Sequence, residues 1–408
     1  MNNFWFESYR EFFKGKKILL GITGSIAAFK AVDLVRYLKK CGAEVKVILT
    51  ENATQFVTPL TFQTLSGYEV GIANGSKGKI VHIELAKWAD LVLIAPATAN
   101  VIAKLANGIA DDLLTTEVLA TIAPVYIAPA MNPTMLTHPA TQKNLYRVTK
   151  LGYKVLDTGF GLHACGDEGY GRMLEPAEII AQLTSPFCLP SNGKTALISM
   201  GPTRSYLDPV RFITNRSSGK MGAALAFAAE KQGYHVEIIS GIAHDHALPL
   251  PKLAHVTKTM TSKEMADAVL RAFPKVDLFL STAAVLDFEF PKMNTQKLKK
   301  DTLKSDHFKL EPTLDILKQV GAMKRKDQFV LGFAAETDQL LENAKKKLKA
   351  KNCDAVFVNP ISAKIEGSTT GFESSHNQGF LVSAKRVIEY KIQNKTKLAT
   401  EIMKAIHE

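Results

Sequence analysis

Apolar residues fall into short strand-like runs that alternate with segments of helical spacing. Lys17–Ile22 (KILLGI) is such a run, and beyond Gly24-Ser25 the apolar positions of Ile26–Lys40 recur at helical intervals. Val45–Leu49, Leu91–Ile94 and Val125–Ala128 repeat the strand signal, and Phe56–Leu60 opens a helix with Pro59 near its start. This βαβα alternation predicts a mostly parallel sheet with helices on both faces and a site at the carboxyl ends of the strands. A second series starts at Lys194–Met200. It continues through a helix at Ala223–Gln232, strand Val236–Ser240, helix Ser262–Phe273 and strand Leu278–Ser281. A strand then ends in Gly332–Asp338, a Lys-rich helix follows, and Asp354–Asn359 and Phe380–Ser383 are further strands. Between the series, Thr184–Gly193 (TSPFCLPSNG) has no periodicity and marks the domain boundary. Leu162–Met173 (LHACGDEGYGRM) interrupts the first series. Its glycines predict neither helix nor strand but a loop able to lie close over a ligand.

Bulk properties narrow this picture. At 408 residues the chain should hold two domains, and 46% hydrophobic with 22% charged residues suits a globular protein. No apolar run reaches membrane-spanning length. The aromatic N-terminus, MNNFWFESYREFFKGKK, lacks a signal-peptide core and is expected to pack against protein rather than lipid. Cys41, Cys165, Cys188 and Cys353 form no CxxC, which argues against zinc knuckles and disulfides and fits a reducing cytoplasm. The net charge of +12 is uneven: residues 1–185 hold 18 basic and 16 acidic residues, residues 186–408 hold 33 and 23. The second half therefore suits a polyanionic small molecule such as a nucleoside triphosphate. Zinc-finger spacing and a stacking ribbon are missing, which disfavours nucleic acid.

Several residue patterns carry chemistry. The turn at Gly24-Ser25, between a strand and a helix, offers backbone N–H groups to a single phosphate rather than a dinucleotide pyrophosphate. Thr50 ends the second strand with a hydroxyl. Pro96–Asn100, including Thr98 and Asn100, would let a flat ring approach the backbone. His82 on an amphipathic segment reads as structural or functional, Asn132 as turn-former or substrate anchor, and Cys165 as filler or working thiol. In the second half, Ser217, Ser218 and Gly219 are expected to cap a helix and expose N–H groups to an anion. Lys347 and Lys351 are four apart and share one helix face.

Taken together, GITGSIAAFK, PATAN, PAMNPTM and HACGDEGYGRM resemble the flavin-dependent phosphopantothenoylcysteine decarboxylases across residues 16–183. The resemblance implies a flavodoxin-like homo-oligomeric flavoprotein binding FMN at Gly24, Ser25, Thr50, Thr98 and Asn100. It implies that His82 assists substrate oxidation, Asn132 holds the substrate carboxylate and Cys165 donates a proton. A cysteine carboxylate has no electron sink. Oxidation of its Cβ–S bond to a thioaldehyde would supply one, and a flavin can accept the hydride.

The second half resembles phosphopantothenate–cysteine ligase over residues 194–406, through GPTR, DPVRFITNRSSGKMG, STAAVLD, KLKK and GFAAETD. The order of the halves is similar to that of the bacterial bifunctional enzymes of coenzyme A biosynthesis. The resemblance implies that Asn215 stabilises an acyl-nucleotide. CTP would be bound by Ser281, Thr282, Ala283, Asp287, Lys297, Leu314, Asp315, Ile316, Leu317, Phe333, Lys347 and Lys351, with Mg2+ at Asp287. Leu314 stands where the family usually has Pro, and Ser375 where it often has Asp.

The expected architecture is two doubly wound parallel-sheet, Rossmann-like domains. Residues 1–15 form an extension, 16–185 the decarboxylase, 186–193 a linker and 194–408 the ligase. The expected partners are 4'-phosphopantothenate, cysteine and CTP, with neither nucleic acid nor membrane. A homo-oligomer, a dodecamer built of decarboxylase trimers and ligase dimers, is implied by the family. The rival readings are a flavin-dependent peptidyl-cysteine decarboxylase and a catalytically dead flavin-binding regulatory subunit. The complete ligase-like half argues against the first, and the intact set of His82, Asn132, Cys165, Asn215 and Lys297 against the second.

Overall fold

The aromatic N-terminus forms a helix, α1 (Asn3–Phe13), in which Phe4, Trp5, Phe6, Tyr9, Phe12 and Phe13 are all buried. This structure, a computed structural model, describes residues 3–72, 81–242, 248–299, 308–361, 371 and 373–408. The chain divides into two units: Tyr9–Phe187, and Cys188–Glu408 together with Met1–Ser8.

In the Tyr9–Phe187 unit, strand β1 (Lys17–Ile22) leads into α2 (Ala28–Lys40) and β2 (Glu44–Leu49). Then come α3 (Pro59–Ser66), α4 (Val81–Trp88), β3 (Leu91–Ala97), α5 (Ala99–Asn107), α6 (Leu113–Ala120) and β4 (Val125–Pro129). The unit closes with α7 (Pro133–Thr137), α8 (Pro139–Lys150), β5 (Lys154–Val155), β6 (Thr158–Leu162), β7 (Glu168–Met173) and α9 (Pro176–Gln182). The sheet runs β2-β1-β3-β4-β5 and every pairing is parallel. That is the flavodoxin-like order, whose switch point lies between β1 and β3. Strands β1, β3 and β4 are apolar along nearly their whole length because helices cover both faces. Helix α2 buries Ala31, Leu34, Val35 and Leu38, each aliphatic contributing about 1.5–3 kcal/mol.

Two expectations need correction here. Helix α2 starts at Ala28 rather than Ile26, because Ser25–Ala27 form the turn: the Ala28 amide donates to the Ser25 carbonyl (2.9 Å). The glycine-rich stretch is not all loop, since β6 and β7 pair as an antiparallel hairpin and only residues 163–167 form its tip. Glycine there serves close approach. A Cβ on Gly169 would lie 2.9 Å from Pro133, and Gly171 combines φ +126° with contact on the Met131 carbonyl.

In the Cys188–Glu408 unit the elements begin with β8 (Thr195–Met200), β9 (Arg204–Tyr206), β10 (Phe212–Thr214), α10 (Lys220–Lys231), β11 (His235–Ser240), β12 (His255–Lys258), α11 (Ser262–Ala272) and β13 (Leu278–Ser281). They continue with β14 (Phe288–Glu289), β15 (Glu311–Pro312), α12 (Ile316–Met323), β16 (Phe329–Glu336), α13 (Leu340–Ala350), β17 (Ala355–Pro360), β18 (His376–Ser383), β19 (Val387–Asn394) and α14 (Lys395–Ala405). The main sheet is ordered β12-β11-β8-β13-β16-β17-β18-β19. Its first six strands follow the Rossmann order 3-2-1-4-5-6 and are parallel. The expected all-parallel sheet is therefore extended: β18 and β19 add antiparallel, joined to each other by the short turn at 384–386. Apolar residues of α10 and α14 pack one face, those of α11, α12 and α13 the other.

Candidate active sites

In the Tyr9–Phe187 unit a cavity of about 310 Å³ opens beyond the carboxyl ends of β1, β2 and β3. Gly24, Thr50, Asn52, Thr98, Asn100 and Asp112 line it. Thr98 caps α5, accepting from the Val101 amide (3.4 Å), while its own amide donates to Thr23 Oγ1 (3.1 Å). Ser25 holds the turn beside this lining: its Oγ accepts from the Ala27 amide (3.2 Å). The hydroxyl and amide donors that face the cavity suit an anionic phosphate and the polar edge of a planar ring.

The hairpin forms the second part. Its base is held by Lys30, whose buried ammonium donates to the Met173 carbonyl (3.0 Å) and pairs with Glu175 (2.7 Å). Its middle is pinned by the Met131 amide donating to the Gly171 carbonyl (2.9 Å). Its tip therefore lands on Asn132. Asn132 caps α7 by accepting from the Thr134 amide (2.7 Å) and points Nδ2 at Cys165 Sγ (3.2 Å) and Asp167 Oδ2 (2.6 Å). The thiol donates to the same carboxylate oxygen (3.3 Å). These bonds from Asn132 and Cys165 hold the Asp167 carboxyl below its ordinary range, so it is ionised at neutral pH. Cys165 is exposed, whereas burial pushes the Cys188 thiol up to about 12 and the Cys353 thiol up to about 11.

His82 sits in the first turn of α4, half-buried. The structure thus joins two of the three decarboxylase candidates, Asn132 and Cys165, by a hydrogen bond. Asp167 was missed by sequence reasoning although it follows Cys165 by two residues; its signal was the acidic residue inside an otherwise small-residue turn.

The Cys188–Glu408 unit contains a larger cavity, about 790 Å³, at the carboxyl ends of β13, β16 and β17. Its wall includes Asn215, Ser281, Thr282, Ala283, Asp287, Leu314, Asp315, Ile316, Leu317, Phe333, Lys347 and Lys351, so only Lys297 of the proposed nucleotide set is outside it. The loop after β13 is tied down by Thr282 Oγ1 donating to the Ser199 carbonyl (2.7 Å) and by Asn215 Nδ2 donating to the Val285 carbonyl (3.0 Å). Lys347 donates to the Phe333 carbonyl (2.6 Å), and burial lowers its pKa. Lys351 pairs with Asp315. Burial works to raise that carboxyl, but the bonds from Lys351 and the Lys318 amide carry it below its usual value.

Lys297 is exposed, on a segment whose neighbour is anchored. Buried Asp208 accepts from the Leu298 amide (3.1 Å) as well as from Arg211 Nε (3.0 Å) and Nη2 (2.6 Å). Lys300, the last of that basic run, lies outside the described residues. The serine caps expected for α10 are absent: Gly219, at φ 72°, is the N-cap and no side chain caps the helix. Sequence reasoning also missed Lys395, which opens α14 and reaches the cavity wall. Its buried ammonium donates to the Gly371 carbonyl (2.8 Å), and burial together with nearby Lys220 brings its pKa down to about 7. Among the described residues no group of three or more His, Cys, Asp or Glu gathers as a metal cage. A Mg2+ held mainly by nucleotide phosphates needs only one or two carboxylates, and Asp287 on the wall fits that requirement.

Two family models match the chain. Residues 7–187 match the Flavoprotein family and residues 191–408 the DNA/pantothenate metabolism flavoprotein C-terminal domain. The chain is 44% identical over 399 residues to the coenzyme A biosynthesis bifunctional protein CoaBC of Vibrio vulnificus (strain CMCP6), covering 96% of this chain and 97% of that protein. It is 43% identical over 392 residues to the protein of that name in Bacillus subtilis (strain 168), covering 92% and 95%. With the Escherichia coli (strain K12) protein it shares 42% identity over 370 residues, covering 89% of each.

Proposed function

Since the chain belongs to the bifunctional coenzyme A biosynthesis proteins, enzymes with a decarboxylase and a ligase activity, we propose the following assignment of steps and residues. Residues 194–408 join cysteine to 4'-phosphopantothenate through an acyl-cytidylate made from CTP. Residues 16–185 decarboxylate the product to 4'-phosphopantetheine. Residues 186–193 link them and residues 1–15 are an extension.

In the ligase step the lysines at 347 and 351 offset phosphate charge, and Mg2+ is held by the nucleotide with Asp287. Asn215, tied to the loop after β13, is placed to hold the activated acyl group. A carboxylate is a poor acceptor for an amine until it carries such a leaving group. In the decarboxylase step, Gly24, Ser25, Thr50, Thr98 and Asn100 hold FMN. FMN, when bound, supplies the reversible two-electron chemistry that gives the departing carboxylate's electrons a place to go. Asn132 orients the substrate carboxylate, Cys165 holds the proton for the decarboxylated carbon, and His82 serves as base or orienter. The protein works in the cytoplasm as a homo-oligomer, a dodecamer of decarboxylase trimers and ligase dimers.

The observation that most supports this reading is the meeting of Asn132 and Cys165, 33 residues apart in sequence, in one hydrogen-bonded cluster. The test is direct. Purified protein is given 4'-phosphopantothenate, cysteine, Mg2+ and either CTP or ATP, and pyrophosphate, CO2 and 4'-phosphopantetheine are followed. All three should appear with CTP. Pyrophosphate without CO2 would leave only the ligase assignment standing. Cys165→Ser should still release CO2 but stall before the saturated thiol, and full turnover by that variant would remove Cys165 from the mechanism.

A further inference from the structure

Asn132 has its orientation fixed from behind. Only its Oδ1 can accept the Thr134 N–H (2.7 Å), so Nδ2 must be the group facing the hairpin tip. In the structure that N–H group is not idle. It donates to the Asp167 carboxylate at 2.6 Å, the shortest bond of the cluster, and the same oxygen receives the Cys165 thiol at 3.3 Å. A carboxylate of the protein thus occupies one of the two N–H donors of the amide assigned above to the carboxylate of the substrate, and Cys165 Sγ takes the other at 3.2 Å.

We infer that Asp167 is a positioning residue whose carboxylate alternates with the substrate carboxylate on the Asn132 amide. The inference rests on the reading of Asn132 as carboxylate anchor. Without substrate, Asp167 bridges Asn132 and Cys165 and keeps the hairpin tip seated. An arriving carboxylate competes for the same N–H, and two carboxylates at hydrogen-bond distance from one amide repel each other. Asp167 withdraws, and Cys165, bonded to it, withdraws with it. Loss of neutral CO2 removes the carboxylate group from the amide and leaves its electron pair and charge on the substrate, delocalised onto the sulfur, so Nδ2 is freed and Asp167 returns and seats the thiol again. The thiol is therefore held back until there is a decarboxylated carbon to protonate. The pins behind the tip, Lys30 to Met173 and Met131 to Gly171, leave residues 163–167 as the part able to shift.

The test uses the FMN-loaded full chain and two unreactive probes, 4'-phosphopantothenoyl-alanine and its carboxamide, with affinities measured by calorimetry. Asp167→Asn keeps the size and an acceptor oxygen but removes the competing charge. It should bind the carboxylate probe roughly three- to tenfold more tightly than the wild type and leave the carboxamide unchanged. The KM for phosphopantothenoylcysteine should fall with it, and Asp167→Glu should restore the wild-type ratio of the two affinities. Equal shifts for both probes, or no tightening for the carboxylate, would overturn the inference while leaving the decarboxylase assignment intact. If wild-type protein bound neither probe and released no CO2 from phosphopantothenoylcysteine, the decarboxylase assignment itself would fall, and the inference with it.

Discussion

Glu117 on α6 is fully buried, and neither carboxylate oxygen has a hydrogen-bond partner among the described residues. Burial raises its pKa from 4.5 to about 8. The folded protein therefore keeps a proton that the unfolded chain releases once the pH passes 4.5. The native state binds more protons throughout that window, so stability falls as pH rises from 4.5 to about 8 and is level below it. At about 1.4 kcal/mol per pKa unit, the whole displacement corresponds to roughly 5 kcal/mol, of which about 3 is lost by pH 7. Glu117→Gln has nearly the same shape and does not titrate. Its stability relative to wild type should be near parity at pH 4.5 and should grow steadily toward pH 8. A chain of two units does not unfold as one step, so the probe must sit in the right one. Trp88 lies on α4, which packs against α6, and the chain has only two tryptophans. Urea unfolding followed by Trp88 fluorescence in a Trp5→Phe background reads the difference directly. A gap between variant and wild type that does not change from pH 4.5 to pH 8 would refute the reasoning.

Three further outcomes follow from the geometry. Gly171→Ala puts a Cβ against the Met131 carbonyl at a backbone angle that costs an L-residue about 1–3 kcal/mol; phosphopantothenoylcysteine decarboxylation should collapse while CTP-dependent pyrophosphate release persists. Lys351→Met removes the partner of Asp315 and a cation of the larger cavity, so the KM for CTP should rise by about tenfold or more, with CO2 release from supplied phosphopantothenoylcysteine unaffected. Asp208→Asn removes the charge that gathers Arg211 and the Leu298 amide, and trypsin should then cut after Lys297 and Lys299 faster than in the wild type.

Strands β1 to β4 were legible because covering both faces of a parallel sheet demands unbroken apolar runs. Strand β5, two residues long, and β12, exposed along much of its length, carry too little of that signal. The hairpin β6–β7 was misread for a different reason. Its strands do not arise from local propensity; the Met131–Gly171 bond and the edge-on ring pair of Phe160 and Tyr170 hold them (5.2 Å between centroids). Around the larger cavity, the hydroxyls after β13 and the lysines of α13 follow regular elements, so their convergence could be anticipated. Lys395 could not. A lysine at a helix start reads as a solvated surface residue, and only the sheet's antiparallel extension brings α14 to the cavity wall. Asp167 carries no periodicity at all, and its role depends on where a hairpin tip lands.

The parallel strands of the Cys188–Glu408 unit reach the cavity with their last residues, Ser281, 333–336 and Asn359, and much of the remaining wall comes from loops and helix starts past those ends. Ligand contact and the integrity of the apolar layers are thereby written partly in different stretches of chain, with Ile316, Leu317 and Phe333 belonging to both. Under the proposed nucleotide assignment, the base accepted could be retuned at exposed Leu314, whereas Ala283 and Val285 pack on the apolar layer and buried Leu286 follows them, so redrawing that loop would reach into folding.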